Sequence, residues 1–294
     1  MRELNRAQRF EAWGTPLEKV DASLPFGAVG SGWFAGRDDA RMMRFGVRLE
    51  GGGAHQSKTL MLSEIGALVS ASSAAGADFR GKILGENVLG KATASGRLSI
   101  YRNLSSLYGL SNVPAITKAF FELAKGDAQS RPLLALLVAL ARDPLLRDTA
   151  QPVVEALVGE LVQWPVLANA VTRAHSGRFS EKMLRSLAQN CASTWTQTGH
   201  LEGRYDKKRR KVHATAPVAA LAALIATVCG FSGPAMLSSA WFKILDLDPN
   251  AALDMLRSAE ARGLARVRAA GDVIEISVRQ QLAATLGVPD LEHV

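Results

Sequence analysis

Cysteine is nearly absent. Only Cys191 and Cys229 occur in 294 residues, too few for a disulfide framework or a zinc knuckle, and both fall inside apolar helical patterns. A reducing cytoplasm is the expected compartment. Aromatics are scarce at 6% while Ala and Leu abound, which disfavours a large sheet and favours helices. Long apolar runs are missing as well: Pro132 to Ala141 and Pro217 to Phe231 are shorter than the roughly 20 residues that cross a bilayer. They read as buried helices, and no membrane partner is expected. The N-terminal MRELNRAQRFEAWG lacks the apolar centre of a signal peptide.

Enzymatic signatures are also lacking. The five histidines (His55, His175, His200, His213, His293) show no metal-ligand spacing, and no HExxH, CxxC, GxSxG or GxxxxGK[ST] occurs. The glycines of GAVGSG at 27–32 run in the wrong order for a dinucleotide loop. Cys191 lies near His200 but on the core face of its helix. No catalytic residue, cofactor or metal is therefore expected.

Charge of one sign is what the chain does have. The net charge is +8 and the isoelectric point about 9.8, so a polyanion is the natural partner: nucleic acid, an acidic membrane surface or an acidic protein. The excess is concentrated. Between Thr172 and His213 ten basic residues face three acidic ones, a local +7 out of the total +8.

The expected fold is mainly α, built from helix-turn-helix or winged-helix modules with small β-hairpin wings. Residues 1–57, rich in Gly and Arg, read as an irregular arm with one strand around Arg44 to Leu49. Residues 58–112 hold three short helices, the last from Ser95 to Tyr108, resembling a helix-turn-helix unit. Residues 113–170 are an all-helical middle: Val113 to Lys125, the apolar Arg131 to Arg142, and a segment around Val153 to Leu161. Residues 171–215 are expected to form a winged helix with a basic wing. Residues 216–294 add two apolar helices, Pro217 to Cys229 and Pro234 to Leu245. A second helix-plus-hairpin module follows, with a helix from Asn250 to Arg262 and a turn at Gly271-Asp272.

The candidate site lies in residues 171–215. Ser180 suits an N-cap, Glu181 the positive helix end and Gly199 the C-terminal stop. Leu184, Leu187, Cys191 and Trp195 define the core face of the helix between them. Opposite, Arg185, Gln189, Ser193 and Gln197 recur every four residues. Arg forks onto guanine, Gln pairs with adenine and Ser serves either, although any solvated helix face is polar. After Gly199, HLEGR and RRKVHA read as strands joined by a basic turn. Arg204, Lys207, Lys208, Arg209, Arg210 and Lys211 would meet phosphates there. Five consecutive cations repel one another on a tight hairpin unless an anion is present, and a disordered solubilising loop is the plain alternative. A second phosphate surface is expected from Lys91, Thr93, Ser95, Arg97 and Arg102, with Thr93 or Ser95 equally suited to ordinary capping. The C-terminal hairpin is less basic and suits a structural or dimerising role.

LGKATASGRLSIYRNLSSLYGL, RPLLALLVALARDPLLRD and RFSEKMLRSLAQNCASTWTQTGHLEGR resemble the BrxA-type family of BREX phage-exclusion loci, over roughly residues 60–215. The resemblance rests on segment order and apolar spacing. It implies a helical, non-catalytic DNA-binding component of a defence system that works beside a methyltransferase and a phosphatase-like protein. The helix and wing at 181–211 and the Lys91 to Arg102 region are the positions it carries over as DNA contacts. The second hairpin module and the N-terminal arm depart from the usual shorter form. Double-stranded DNA is the first expected partner. The alternatives are a scaffold that docks an acidic protein of a defence complex, a transcriptional regulator, and a homodimer of either.

Overall fold

The computed structural model describes residues 32–36, 38–72, 77–270 and 273–294. The protein is mainly helical, with two small antiparallel sheets among the described residues. Part of the N-terminal arm, 1–31, and the Gly271-Asp272 turn lie outside the described residues.

The described end of the arm is not irregular. Helix α1 (Asp39–Phe45) starts on Asp38, whose side chain accepts from Arg41 N at 3.0 Å, and stops at Gly46 in the left-handed region. The strand expected at Arg44 to Leu49 is therefore corrected: Arg44 and Phe45 end α1, and no strand is assigned from Gly46 to Leu49. Phe45, Val47 and Leu49 alternate as a strand would, but Met42, Phe45 and Val47 are buried and Arg48 N bonds Ala141 O at 2.8 Å. Trp33 meets Trp241 edge to face at 4.8 Å, and Trp241 Nε1 donates to Trp33 O.

Next come α2 (Leu62–Ala71), a π-helical turn at Gly81–Gly85, and α3 (Ala94–Tyr108), which Thr93 caps by accepting from Gly96 N at 3.0 Å. Helices α4 (Ala115–Gly126) and α5 (Arg131–Arg142) follow. Leu133 through Ala141 of α5 are all buried, as a helix apolar on every side requires.

The helix expected at Val153 to Leu161 is corrected. After α6 (Pro144–Asp148), α7 (Ala150–Glu155) ends early and the chain turns through Gly159 at φ 89°. Residues 159–162 then run as an extended segment. Leu157, Val158 and Leu161 continue a helical spacing on paper, yet all three are exposed. Helix α8 (Trp164–Ala174) follows, unmarked in the sequence reading, then α9 (Glu181–Gln197), β1 (Leu201–Glu202) and β2 (Lys208–Arg209).

In the C-terminal unit α10 (Ala216–Val228) is buried along nearly its whole length. The expected Pro234 to Leu245 helix is two, α11 (Gly233–Leu237) and α12 (Ala240–Lys243), broken where Ser239 turns extended and Ala240 N bonds Gly32 O at 2.8 Å. Helix α13 (Pro249–Glu260) leads into β3 (Arg266–Ala270) and β4 (Val273–Ser277), paired from Arg266 with Ser277 to Ala270 with Val273. Helix α14 (Arg279–Leu286) closes the chain. No single described helix is long and apolar enough to cross a membrane.

Candidate nucleic-acid interface

Helix α9 is placed by its buried side. Ser180 caps it, and Leu187, Ala188, Cys191, Ala192, Thr194 and Trp195 are buried. Trp195 Nε1 donates to Thr149 Oγ1 at 2.9 Å. Thr194 Oγ1 sits 2.8 Å from His55 Nε2, and His55 Nδ1 sits 2.7 Å from Asp143 Oδ2. Asn190 Nδ2 donates to His55 O at 2.9 Å. Burial would raise the Asp143 carboxyl. The His55 ring and the amides of His55 and Leu146 outweigh it and hold the group below its ordinary value. A Thr, a His and an Asp thus join α9 to the rest of the fold, all three sealed from solvent.

At about 100° per residue, Arg185, Gln189, Ser193 and Gln197 drift across an arc of about 120°. That arc is what α9 leaves to solvent. Arg185 and Gln189 are exposed, with the Arg185 guanidinium 5.3 Å from the Trp164 ring. Ser193 is half-buried and donates to Gln189 O at 2.9 Å, so its hydroxyl is engaged. Gln197 is exposed at the far edge and donates to Thr59 Oγ1 at 3.3 Å.

The hairpin lies along the other edge. Leu201 pairs with Arg209 and Glu202 with Lys208. On its other side β2 meets the chain at 159–162 through an isolated antiparallel bridge, Leu161 opposite Lys208: Gly159 N bonds Arg209 O, Arg209 N bonds Glu160 O and Val162 N bonds Lys207 O, each at 2.8 Å. β2 therefore has β1 on one edge and this bridge on the other. Gly203, at φ 100°, makes the turn, and a Cβ there would stand 2.2 Å from Asp206 O.

Side chains of a strand alternate between faces, and this divides the cation run. Lys208 and Arg210 point outward; Arg210 Nε lies 3.5 Å from Glu202 Oε2. Arg204, stacked over Tyr205 at 5.3 Å, and Lys211 are exposed. Lys207 is half-buried, donates to Thr196 Oγ1 at 2.8 Å, and has its pKa lowered by burial. Arg209 points inward and is 2% exposed. It pairs with Asp246, which also accepts from Val212 N at 2.8 Å. The expectation that Arg209 meets DNA is corrected: it holds the hairpin to the C-terminal unit. Beside it His200 is buried, with Nε2 donating to Ile244 O at 2.7 Å and Nδ1 accepting from Thr198. Burial pushes its pKa down to about 4. Cys191 is also buried, which raises its thiol well above the ordinary value.

The earlier phosphate surface is only partly available. Lys91 Nζ pairs with Glu64 at 3.1 Å. Thr93 is occupied as a cap, with Ser95 Oγ 3.3 Å from its hydroxyl. Arg97 is half-buried and Arg102 exposed. Lys91 does, however, share a cleft of about 490 Å³ with Gln197 of α9, together with Lys58, Thr59, Glu64 and Ser99. Sequence reasoning missed Lys58 and Thr59. Their only signal was proximity to the start of α2.

Among the described residues no group of three His, Cys, Asp or Glu side chains is placed to hold a metal. The chain matches no protein-family model, no curated protein and no solved structure.

Proposed function

We propose that residues 150–211 form a winged helix that binds duplex DNA without catalysing a reaction, α9 entering the major groove and the β1–β2 hairpin meeting phosphates. The observation that carries this is the Lys207 to Thr196 hydrogen bond. It sets the hairpin against the exposed arc of α9, so the exposed cations Arg204, Lys208 and Lys211 flank the side chains fit to read bases. Helix, bridging segment, two helices and two strands, with β2 lying between β1 and the Leu161 bridge, follows the order of elements in a winged helix and supports the reading. The inward turn of Arg209 leaves the neighbouring cations outward, as a phosphate-contacting wing needs.

Fluorescence anisotropy of a labelled duplex over a salt series tests it. Each phosphate neutralised contributes about 0.9 to the slope of log affinity against log salt. R204A/K208A/K211A should flatten the slope by about 2 to 3 units while leaving the fold intact. Salt-independent binding, or none at low salt, overturns the proposal.

A place in a BREX-like defence system is part of this reading and rests on the segment resemblance alone; the neighbouring genes test it. A scaffold role is the second reading. It is favoured by Leu157, Val158, Leu161 and Val166, four exposed large apolar side chains within ten residues. A pull-down that survives nuclease and is lost on charging Leu157 and Leu161 would support it.

A further inference from the structure

The two edges of α9's exposed arc are bordered by different parts of the chain. Thr196, at the Arg185 edge, holds Lys207 of the hairpin. Gln197, about 100° further round, holds Thr59 at the mouth of the cleft between α2, α3 and α9. The hairpin and the cleft therefore border the exposed arc at its two edges, on the last turn of one helix. A helix with side chains is about 10–12 Å across, and the major groove is about 12 Å wide. A helix seated in that groove has a phosphate ridge on each side. The hairpin meets one ridge. The cleft borders the arc's other edge.

Resting on the DNA-binding reading, we propose that this cleft is a second phosphate seat, for the strand opposite the one the hairpin meets, and that Glu64 competes with that phosphate for Lys91. The cleft has the chemistry for it. Lys58 is exposed, and no ion pair to it is found among the described residues. Thr59, Ser63 and Ser99 bring hydroxyl donors beside it. Lys91 is anchored through its backbone N to Asn87 Oδ1 at 2.8 Å, so only its ammonium end needs to move from Glu64 to an incoming anion. The Lys91–Glu64 pair is partly solvated, at 36% and 24% side-chain exposure, and exposed pairs of this kind are weakly held. A phosphate in contact with both Lys58 and Lys91 displaces a single carboxylate.

Two variants move in opposite directions. K58A/K91A should flatten the salt slope of duplex binding by about 1 to 2 units. E64Q, which frees Lys91 and removes a repelling charge, should tighten binding several-fold and steepen the slope. Strand assignment comes from duplexes carrying neutral methylphosphonate linkages in one strand at a time. Neutral linkages in one strand should abolish the effect of R204A/K208A/K211A, and linkages in the other strand should abolish the effect of K58A/K91A. If K58A/K91A leaves the slope unchanged while the hairpin variant still flattens it, the second seat is wrong and the winged-helix reading stands. If both effects vanish with the same strand, the opposite-strand placement is wrong. If the hairpin variant itself has no effect, the reading beneath both fails. Titration with AMP and with inorganic phosphate, followed by amide shifts of Thr59 and Gln197, separates a duplex phosphate from a free nucleotide. Saturation by AMP at concentrations that do not affect the hairpin variant's duplex affinity would overturn the duplex assignment.

Discussion

Arg209, in the middle of the most basic stretch of the chain, donates to Asp246 of the C-terminal unit, and both side chains are largely buried, at 3% and 12% exposure. Four cations surround Arg209 in the sequence: Lys207 is half-buried against α9, and Arg209 is the one that is fully buried. Its job is to fasten the hairpin to the α12–α13 connection.

Breaking that pair should cost stability first and binding second. R209A leaves the Asp246 carboxylate buried without its partner, and losses of this kind run to about 3–5 kcal/mol. D246N keeps a residue tolerant of the left-handed backbone found there, at φ 57°, and should cost less than D246A. Urea unfolding midpoints of the three variants check the order. R209A binding DNA with wild-type stability and a flattened salt slope would mean that Arg209 is a phosphate contact after all.

Acid should loosen the same junction. His200 is neutral in the fold, with burial lowering its pKa to about 4 against an ordinary 6.5. The unfolded chain therefore takes up the proton first. The stability due to His200 is complete above pH 6.5 and is lost as pH falls from about 6.5 towards about 4. Linkage puts the loss at about 2 kcal/mol between about pH 7 and about pH 5. Urea melts at the two pH values should show it in the wild type and show it reduced in H200Q. Equal pH sensitivity in both would count against it.

A cramped contact underlies the placement of α9. A Cβ on Gly53 would stand 1.7 Å from Asp143 Oδ1, so G53A must displace the carboxylate that holds His55 and, through it, Thr194. Asp143 also accepts from the amides of Leu145 and Leu146 at the start of α6. G53A should therefore destabilise the whole protein by several kcal/mol, the range for breaking a buried polar network. T194V should cost about 1–3 kcal/mol, the penalty of one unsatisfied buried group. Calorimetric melting compares them.

Base reading and phosphate contact should separate. Gln189 is exposed in the middle of the arc, with its carbonyl oxygen occupied by Ser193 and no hydrogen bond to its side chain among the described residues. Q189A should relax preference at one base pair by about 1–3 kcal/mol without altering the salt slope. Selection from a randomised duplex pool, for wild type and variant, is the measurement. Identical selected sequences would mean that α9 does not read bases through Gln189.

Much of the local structure was legible. The Arg131–Arg142 helix was read at its observed ends, because Pro132 and the Arg142-Asp-Pro stop are local signals. Ser180, Glu181 and Gly199 bounded α9 in the same way, and Leu187, Cys191 and Trp195 fell on its buried face as their spacing required. Both hairpins were expected; β3 and β4 fall close to their expected bounds, whereas the strand expected from Arg209 to Ala214 is Lys208–Arg209 alone. The bridge at Leu161 was hidden, since Leu157, Val158 and Leu161 suit a helix equally well and only their exposure removes them from one. The α11–α12 break was hidden too, being set by Gly32, two hundred residues away in the chain.

The amino-acid sequence by itself determined a helical protein with a capped helix, a polar arc along it and a basic hairpin after it. Those properties depend on neighbours within a few turns, where periodicity and caps act directly. Tertiary structure decided how the cations are used. A run of five like charges carries no mark of which one a distant Asp246 will draw inward, which one Thr196 will hold against α9, or that Lys58 will face the same helix from its other side. Each of those choices rests on a partner from another segment, and a lone side chain's charge does not encode its partner.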